Sequence, residues 1–85
     1  ILLIMNPKNA VLVNVYERMK LLQRLDLEDV DIYDDDNQQG ESHKAEEIYL
    51  NFADNVVYVN LDNGDEIPLE ELSYNELIAI YEELV

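Results

Sequence analysis

From Ile48 to Leu61 the apolar residues recur at every second position, and this alternation constrains the fold more than any other feature. Ile48, Leu50 and Phe52 would face one way, and Glu47, Tyr49 and Asn51 the other. After an Ala53-Asp54-Asn55 turn, Val57, Val59 and Leu61 alternate with Tyr58 and Asn60. A period of two marks strands with one buried and one wetted face. Asp62-Asn63-Gly64-Asp65 then reverses the chain. Asn-Gly tolerates positive φ, so a type I′ hairpin turn is expected. Ile67 and Leu69 continue on the returning strand, and Pro68, with no N–H to donate, puts that strand at an edge.

Helical signals flank this meander. Asn6-Pro7 opens a helix expected over residues 7–24, with Asn as the cap and Pro at the first helical position. Leu12, Val15, Tyr16, Met19 and Leu22 recur at helical spacing, with Val11 and Leu25 beside them. The β-branched run Val11–Val15 competes as a strand, but length and the absence of internal Gly or Pro favour the helix. At the other end, Ser73-Tyr74-Asn75-Glu76 reads as a capping box, with Leu72 and Leu77 as a hydrophobic staple. Leu77, Ile80, Tyr81 and Leu84 form one apolar stripe, with Glu76, Glu82 and Glu83 more exposed. Glu82 and Glu83 oppose the helix macrodipole, so this end should fray unless it is docked. Val30 and Ile32 suggest a short strand, and residues 34–46 read as an acidic, flexible loop.

The expected fold is α+β: one domain with a small antiparallel meander of three to four strands and both terminal helices packed on one face. At 85 residues the core is modest. Residues 1–6 read as a tag or tail; either the true start precedes them or Met5 is the start.

Charge narrows the function classes. Twenty Asp and Glu face five Lys and Arg, a net of −15. Residues 1–24 carry Lys8, Arg18, Lys20 and Arg24 against Glu17 alone, a net of +3 and a natural counter-charge for the remainder at −18. Phosphate backbones and anionic membranes repel such a chain, so direct nucleic-acid and membrane binding are not expected. Basic proteins and cations are the favoured partners. Solubility alone needs a net charge of about 2–8, and self-repulsion destabilises the compact state. Function, bound cations or an unusual salt level must offset that cost. The chain has no Cys, which excludes disulfides, thiol chemistry and Cys-based zinc sites, and fits a reducing cytoplasm.

Chemistry has little material. Ser73 is accounted for as a cap, and Ser42-His43 lies in the expected loop without a nucleophile-elbow context. Abundant carboxylates do not make a general acid without an apolar pocket. No cofactor is expected. A calcium-loop register counted from Asp35 places Asn37, Gln39, Gly40 and Glu46 at ligand or turn positions. Gln39 is a weak ligand and the flanks read as strands. Asp35, Asn37 and Glu46 therefore stand only as weak metal candidates, beside non-specific divalent binding at Asp34–Asp36.

The sharper constellation is aromatic and acidic. Tyr33, Tyr49 and Tyr58 point away from the helix-covered face, among acids. Rings that bury area beside carboxylates suit contact with Arg and Lys. The expected partner-binding residues are Asp29, Asp31, Tyr33, Asp34, Asp35, Asp36, Glu47, Tyr49 and Tyr58. The expectation is a non-enzymatic acidic protein-binding module. In its sharpest form it is an inhibitor of phage or mobile-element type that mimics nucleic acid and blocks a basic nucleic-acid-binding protein. The rival is a structural or assembly module that forms a homo-oligomer.

Overall fold

A computed structural model describes residues 6–33 and 42–85. Helix α1 (Pro7–Leu22) opens where expected: Asn6 Oδ1 accepts the Lys8 N–H at 2.8 Å, and Pro7 occupies the first helical position. The β-branched run stays helical because burial outweighs propensity; Val15 and Met19 are fully buried. The helix stops at Leu22, two residues early, because Gln23 turns to φ 67 while its N–H still donates to the Met19 carbonyl at 2.7 Å. The Gln23 carbonyl then accepts the Leu50 N–H at 2.9 Å. Leu25, expected beside the helical stripe, instead sits in a strand.

Five strands follow among the described residues: β1 (Arg24–Asp26), β2 (Asp31–Tyr33), β3 (Ser42–Asn51), β4 (Val56–Leu61) and β5 (Glu66–Pro68). All pairings are antiparallel. β3 is the hub. β4 lines one edge and carries β5 outside it, while β1 and β2 share the other edge. β1 pairs with Glu47–Tyr49 and β2 with Ser42–Lys44. Between them, Leu27 N–H donates to the Glu46 carbonyl (2.9 Å) and Ala45 N–H to the Val30 carbonyl (2.8 Å). A register shift between Ala45 and Glu47 makes Glu46 the extra residue of a bulge. Residues 42–46 are therefore strand, not loop, because β2 and β4 supply partners on both edges.

Two turns differ from expectation. Gly64 has φ 91 but Asn63 keeps a negative φ, so the β4–β5 hairpin is not type I′. Gly64 N–H donates to the Leu61 carbonyl (3.1 Å) and Leu61 N–H to the Asp65 carbonyl (2.8 Å), a three-residue loop that ends on a left-handed glycine. Phe52 is not inward; it is 68% exposed. The strand ends at Asn51, whose side chain accepts the Ala53 N–H at 2.9 Å and whose carbonyl accepts the Asn55 N–H at 2.8 Å. The alternation breaks one residue before the ring. Pro68 does lie on an edge strand.

After a 3-10 turn (Leu69–Glu71), helix α2 (Tyr74–Leu84) starts on the full capping box. Ser73 Oγ accepts the Glu76 N–H at 3.2 Å, and Glu76 Oε1 accepts the Ser73 N–H at 2.8 Å. The other Glu76 oxygen accepts the Tyr33 N–H at 2.6 Å, which ties β2 to α2. The helix end is docked: Leu84 is buried and Glu83 Oε1 accepts the Glu28 N–H at 2.9 Å. Val15 and Met19, Leu77, Ile80 and Leu84, and Ile48, Val57, Val59 and Leu61 belong to one hydrophobic cluster, so both helices cover the same sheet face. Tyr16 adds a polar tie: its hydroxyl accepts the Val57 N–H at 3.2 Å and donates to Glu70.

Two substitutions test this account. Ile48→Ala removes a fully buried side chain from the hub strand and should cost about 2–5 kcal/mol. Gln23→Gly relieves a positive φ and should add about 0.5–1 kcal/mol. Urea midpoints measure both; an unmoved midpoint for the glycine variant would mean that this corner stores no strain.

Candidate functional site

The sheet face away from the helices is ordered by register. Across it run Arg24, Tyr49, Tyr58 and Pro68 in one row, and Asp26, Glu47, Asn60 and Glu66 in the next. Tyr49 and Tyr58 stack, with centroids 5.8 Å apart and planes at 28°. Each hydroxyl is anchored on a carboxylate: Tyr49 donates to Glu66 at 2.6 Å and Tyr58 to Asp54 at 2.5 Å. Asp54 also accepts the Val56 N–H at 3.0 Å, which fixes the carboxylate itself. These bonds hold both phenols in the protonated form and push each pKa up to about 12. The rings are neutral and held in place at physiological pH.

Glu47, an expected partner contact, is already engaged. Its Oε2 accepts from Arg24 Nε at 2.8 Å and Nη2 at 2.6 Å, and Asn60 Nδ2 reaches its Oε1 at 3.4 Å. The carboxylate lies largely under the guanidinium, with side-chain exposures of 16% and 72% respectively. At this end Arg24 offsets Glu47, with exposed Asp26 beside them, and Arg24, Glu66 and Asp54 are neighbours of the tyrosine pair that the alternation alone did not reveal. Arg24–Glu47 is a diagonal pair and Tyr49–Glu66 reaches across β4, so both need the register, whereas Asp54 lies four residues before Tyr58 and its proximity was local.

The acids gather elsewhere. Glu28, Asp29, Glu46 and Asp62, with Lys44, line a shallow cleft along the bulge of β3. Glu28, Asp29, Glu82 and Glu83 line an adjoining one against the end of α2. Asp29 holds φ 58, a conformation that Asp tolerates better than most residues, at the corner between β1 and β2. Asp31 is exposed and faces Lys44 across the ladder. Tyr33, 57% exposed, lies opposite Ser42, seven residues along β3 from Tyr49. At about 3.3 Å per residue that is roughly 23 Å. The three tyrosines share an outward orientation but not a site: Tyr49 and Tyr58 form one centre, while Asp29, Asp31 and Tyr33 lie towards the other end.

Asp34, Asp35, Asp36 and Asn37 lie outside the described residues, as do Gln39 and Gly40. Glu46 sits in β3, and the segment is flanked by strands β2 and β3 rather than by the helices of a calcium hand. Among the described residues no group of three or more His, Asp or Glu side chains is placed to hold a metal ion. Ser42 and His43 are consecutive on β3 and so point to opposite faces. His43, expected as an exposed loop residue, is half-buried, with Nδ1 3.1 Å from Asp62 Oδ1. Of the basic residues, Lys20 pairs with Glu17 within α1 at 3.3 Å, and Lys8 Nζ donates to the Glu70 carbonyl at 3.0 Å. Helix α1 therefore supplies no ion pair to the acidic clefts among the described residues.

No family model matches the chain, and no curated protein or solved structure matches it. No helix among the described residues is long and apolar enough to cross a membrane.

The phenol bonds predict a pH signature. Unfolded tyrosine titrates near 10, so the raised folded values stabilise the protein below about pH 10. That contribution should be lost as pH rises from about 10 to about 12. Absorbance titration should show a late tyrosinate fraction that shrinks in the Tyr49→Phe/Tyr58→Phe variant, leaving Tyr16, which burial and Glu70 also hold above the usual range; a variant curve whose late fraction matches the parent's would refute the anchoring.

Proposed function

We propose that this chain is a non-enzymatic protein-binding module that docks on a basic surface of another protein. The observation that carries the reading is the convergence of Glu28, Asp29, Glu46, Asp62, Glu82 and Glu83 on two adjoining clefts, against Lys44 alone among the basic residues that line them. Like charges gathered there raise a local negative potential, which steers a basic partner. The net charge of −15 adds to that potential at long range. In its sharpest form the module competes with nucleic acid for the basic groove of a nucleic-acid-binding protein, as inhibitors of phage type do. A cytoplasmic setting suits that role.

A second reading has one specific observation in its favour. Helix α1 exposes Val13, Leu21 and Leu22, with Leu21 at 79%. Exposed apolar side chains along an outer helix suit self-association, and a solution mass of two chains would favour the assembly role.

Ionic strength tests the docking reading. Screening shortens from about 10 Å at 0.1 M to about 3 Å at 1 M salt. Affinity for a basic nucleic-acid-binding protein should fall by at least about tenfold over that range. It should also fall in an Asp29→Asn/Glu82→Gln/Glu83→Gln variant, in which the new amide at position 83 keeps an acceptor for the Glu28 N–H. Tight binding indifferent to salt and to these substitutions would contradict the reading.

A further inference from the structure

The stacked tyrosine pair lies on the outer sheet face, and the acidic clefts do not explain it. Among the described residues both helices pack on the other sheet face, and Tyr49 and Tyr58 are half-buried here, each held at its hydroxyl by one carboxylate, Glu66 and Asp54 respectively. The charge on this face is not uniform. On the β1 side Arg24 pairs with Glu47, next to exposed Asp26. On the β4–β5 side Glu66 and Asp54 border the rings, and among the described residues no cation pairs with either. Tyr49 occupies Glu66 Oε2, and among the described residues no other donor is bonded to that carboxylate.

We infer that this face seats an arginine side chain of the basic partner, with the guanidinium over the Tyr49–Tyr58 pair and hydrogen-bonded to Glu66. The inference rests on the docking reading and adds the chemistry of the contact. Guanidinium stacks flat on an aromatic face and is weakly hydrated, so it gains from a ring and a carboxylate together. An ammonium is a compact, strongly hydrated point charge, which the carboxylates attract but the rings favour less. Rings anchored in advance lose little freedom on contact, which suits a docking centre. Phe52, 68% exposed, lines with Arg24 and Tyr49 the cleft at one end of the face and offers apolar area to the aliphatic part of the same segment. Charge selects against the other occupants of an aromatic sheet. Nucleic acid would bring phosphates towards Glu66 and Asp54, and a second copy would bring a second net charge of −15.

Two probes of equal charge, nona-arginine and nona-lysine, separate ring recognition from charge. At about 0.15 M salt the full chain should bind the arginine peptide about threefold or more tighter. Ring proton resonances of Tyr49 and Tyr58 should shift with the arginine peptide. In Tyr49→Leu/Tyr58→Leu the ratio should fall to about one while the lysine affinity stays, whereas Tyr49→Phe/Tyr58→Phe, which keeps the rings, should retain a preference. In Asp29→Asn/Glu82→Gln/Glu83→Gln both affinities should drop with the ratio kept. Equal binding of the two peptides by the unsubstituted chain, with unshifted rings, overturns the arginine contact and leaves the docking reading standing. Binding of neither peptide overturns both. A single-stranded oligonucleotide that shifts the same rings also overturns the inference, and it needs no variant to fold.

Discussion

Strand β3 is paired on both edges, and the rest of the molecule is arranged around that fact. β4 takes one edge, and β1 and β2 divide the other on either side of the Glu46 bulge. Ala45, Ile48 and Leu50 then face a single side, where two helices bury them. A slip of one residue would exchange that row for Glu47 and Tyr49 and put a carboxylate into the core. Register on β3 therefore fixes the core and, by alternation, the outward face.

That division of faces has an electrostatic consequence. A chain of 85 residues with 20 acids cannot hide them, and the hydrophobic cluster takes none. Several are used as structural acceptors instead. Glu76 serves both its own helix cap and β2, Glu83 receives the backbone at Glu28, and Glu66 and Asp54 anchor two phenols. A carboxylate that accepts an N–H or O–H gains a charge-assisted bond, which offsets part of the repulsion among its neighbours. The remaining acids, around the β1–β2 corner and the end of α2, make no ion pair that would quench their field, apart from the contact of Asp62 with His43, among the described residues.

Much of the fold is readable from residues alone, for local reasons. Alternation over residues 48–61, the Asn6-Pro7 start and the Ser73–Glu76 box each depend on neighbours in sequence. What escapes depends on neighbours in space. Gln23 carries no sign of a positive φ, so β1 reads as the end of a helix. Phe52 continues the alternation in sequence, but the turn has begun. Residues 42–46 look like loop because β2, only three residues long, is not yet placed beside them. The site shows the same split. The outward direction of Tyr49 and Tyr58 follows from parity, while the pairing of Glu47 with Arg24 and of Tyr49 with Glu66 needs the register, and Tyr58 meets Asp54 only because of how the turn before β4 is shaped. The sequence closeness of Asp31 and Tyr33 to the acidic run says nothing of their distance from the other tyrosines.

In the proposed docking, the buried core between sheet and helices serves stability, while contact falls on the outward sheet face and on the acidic corner shared by the β1–β2 connection and the end of α2. Amide and ring chemical shifts of the full chain, mapped during titration with a basic nucleic-acid-binding protein, address it most directly. Shifts should be confined to the outward rows around Tyr49, Tyr58 and Glu66 and to the corner at Glu28, Asp29, Glu82 and Glu83, with the exposed side of α1 unmoved. Shifts centred on Val13, Leu21 and Leu22, with the tyrosine rings silent, would contradict it.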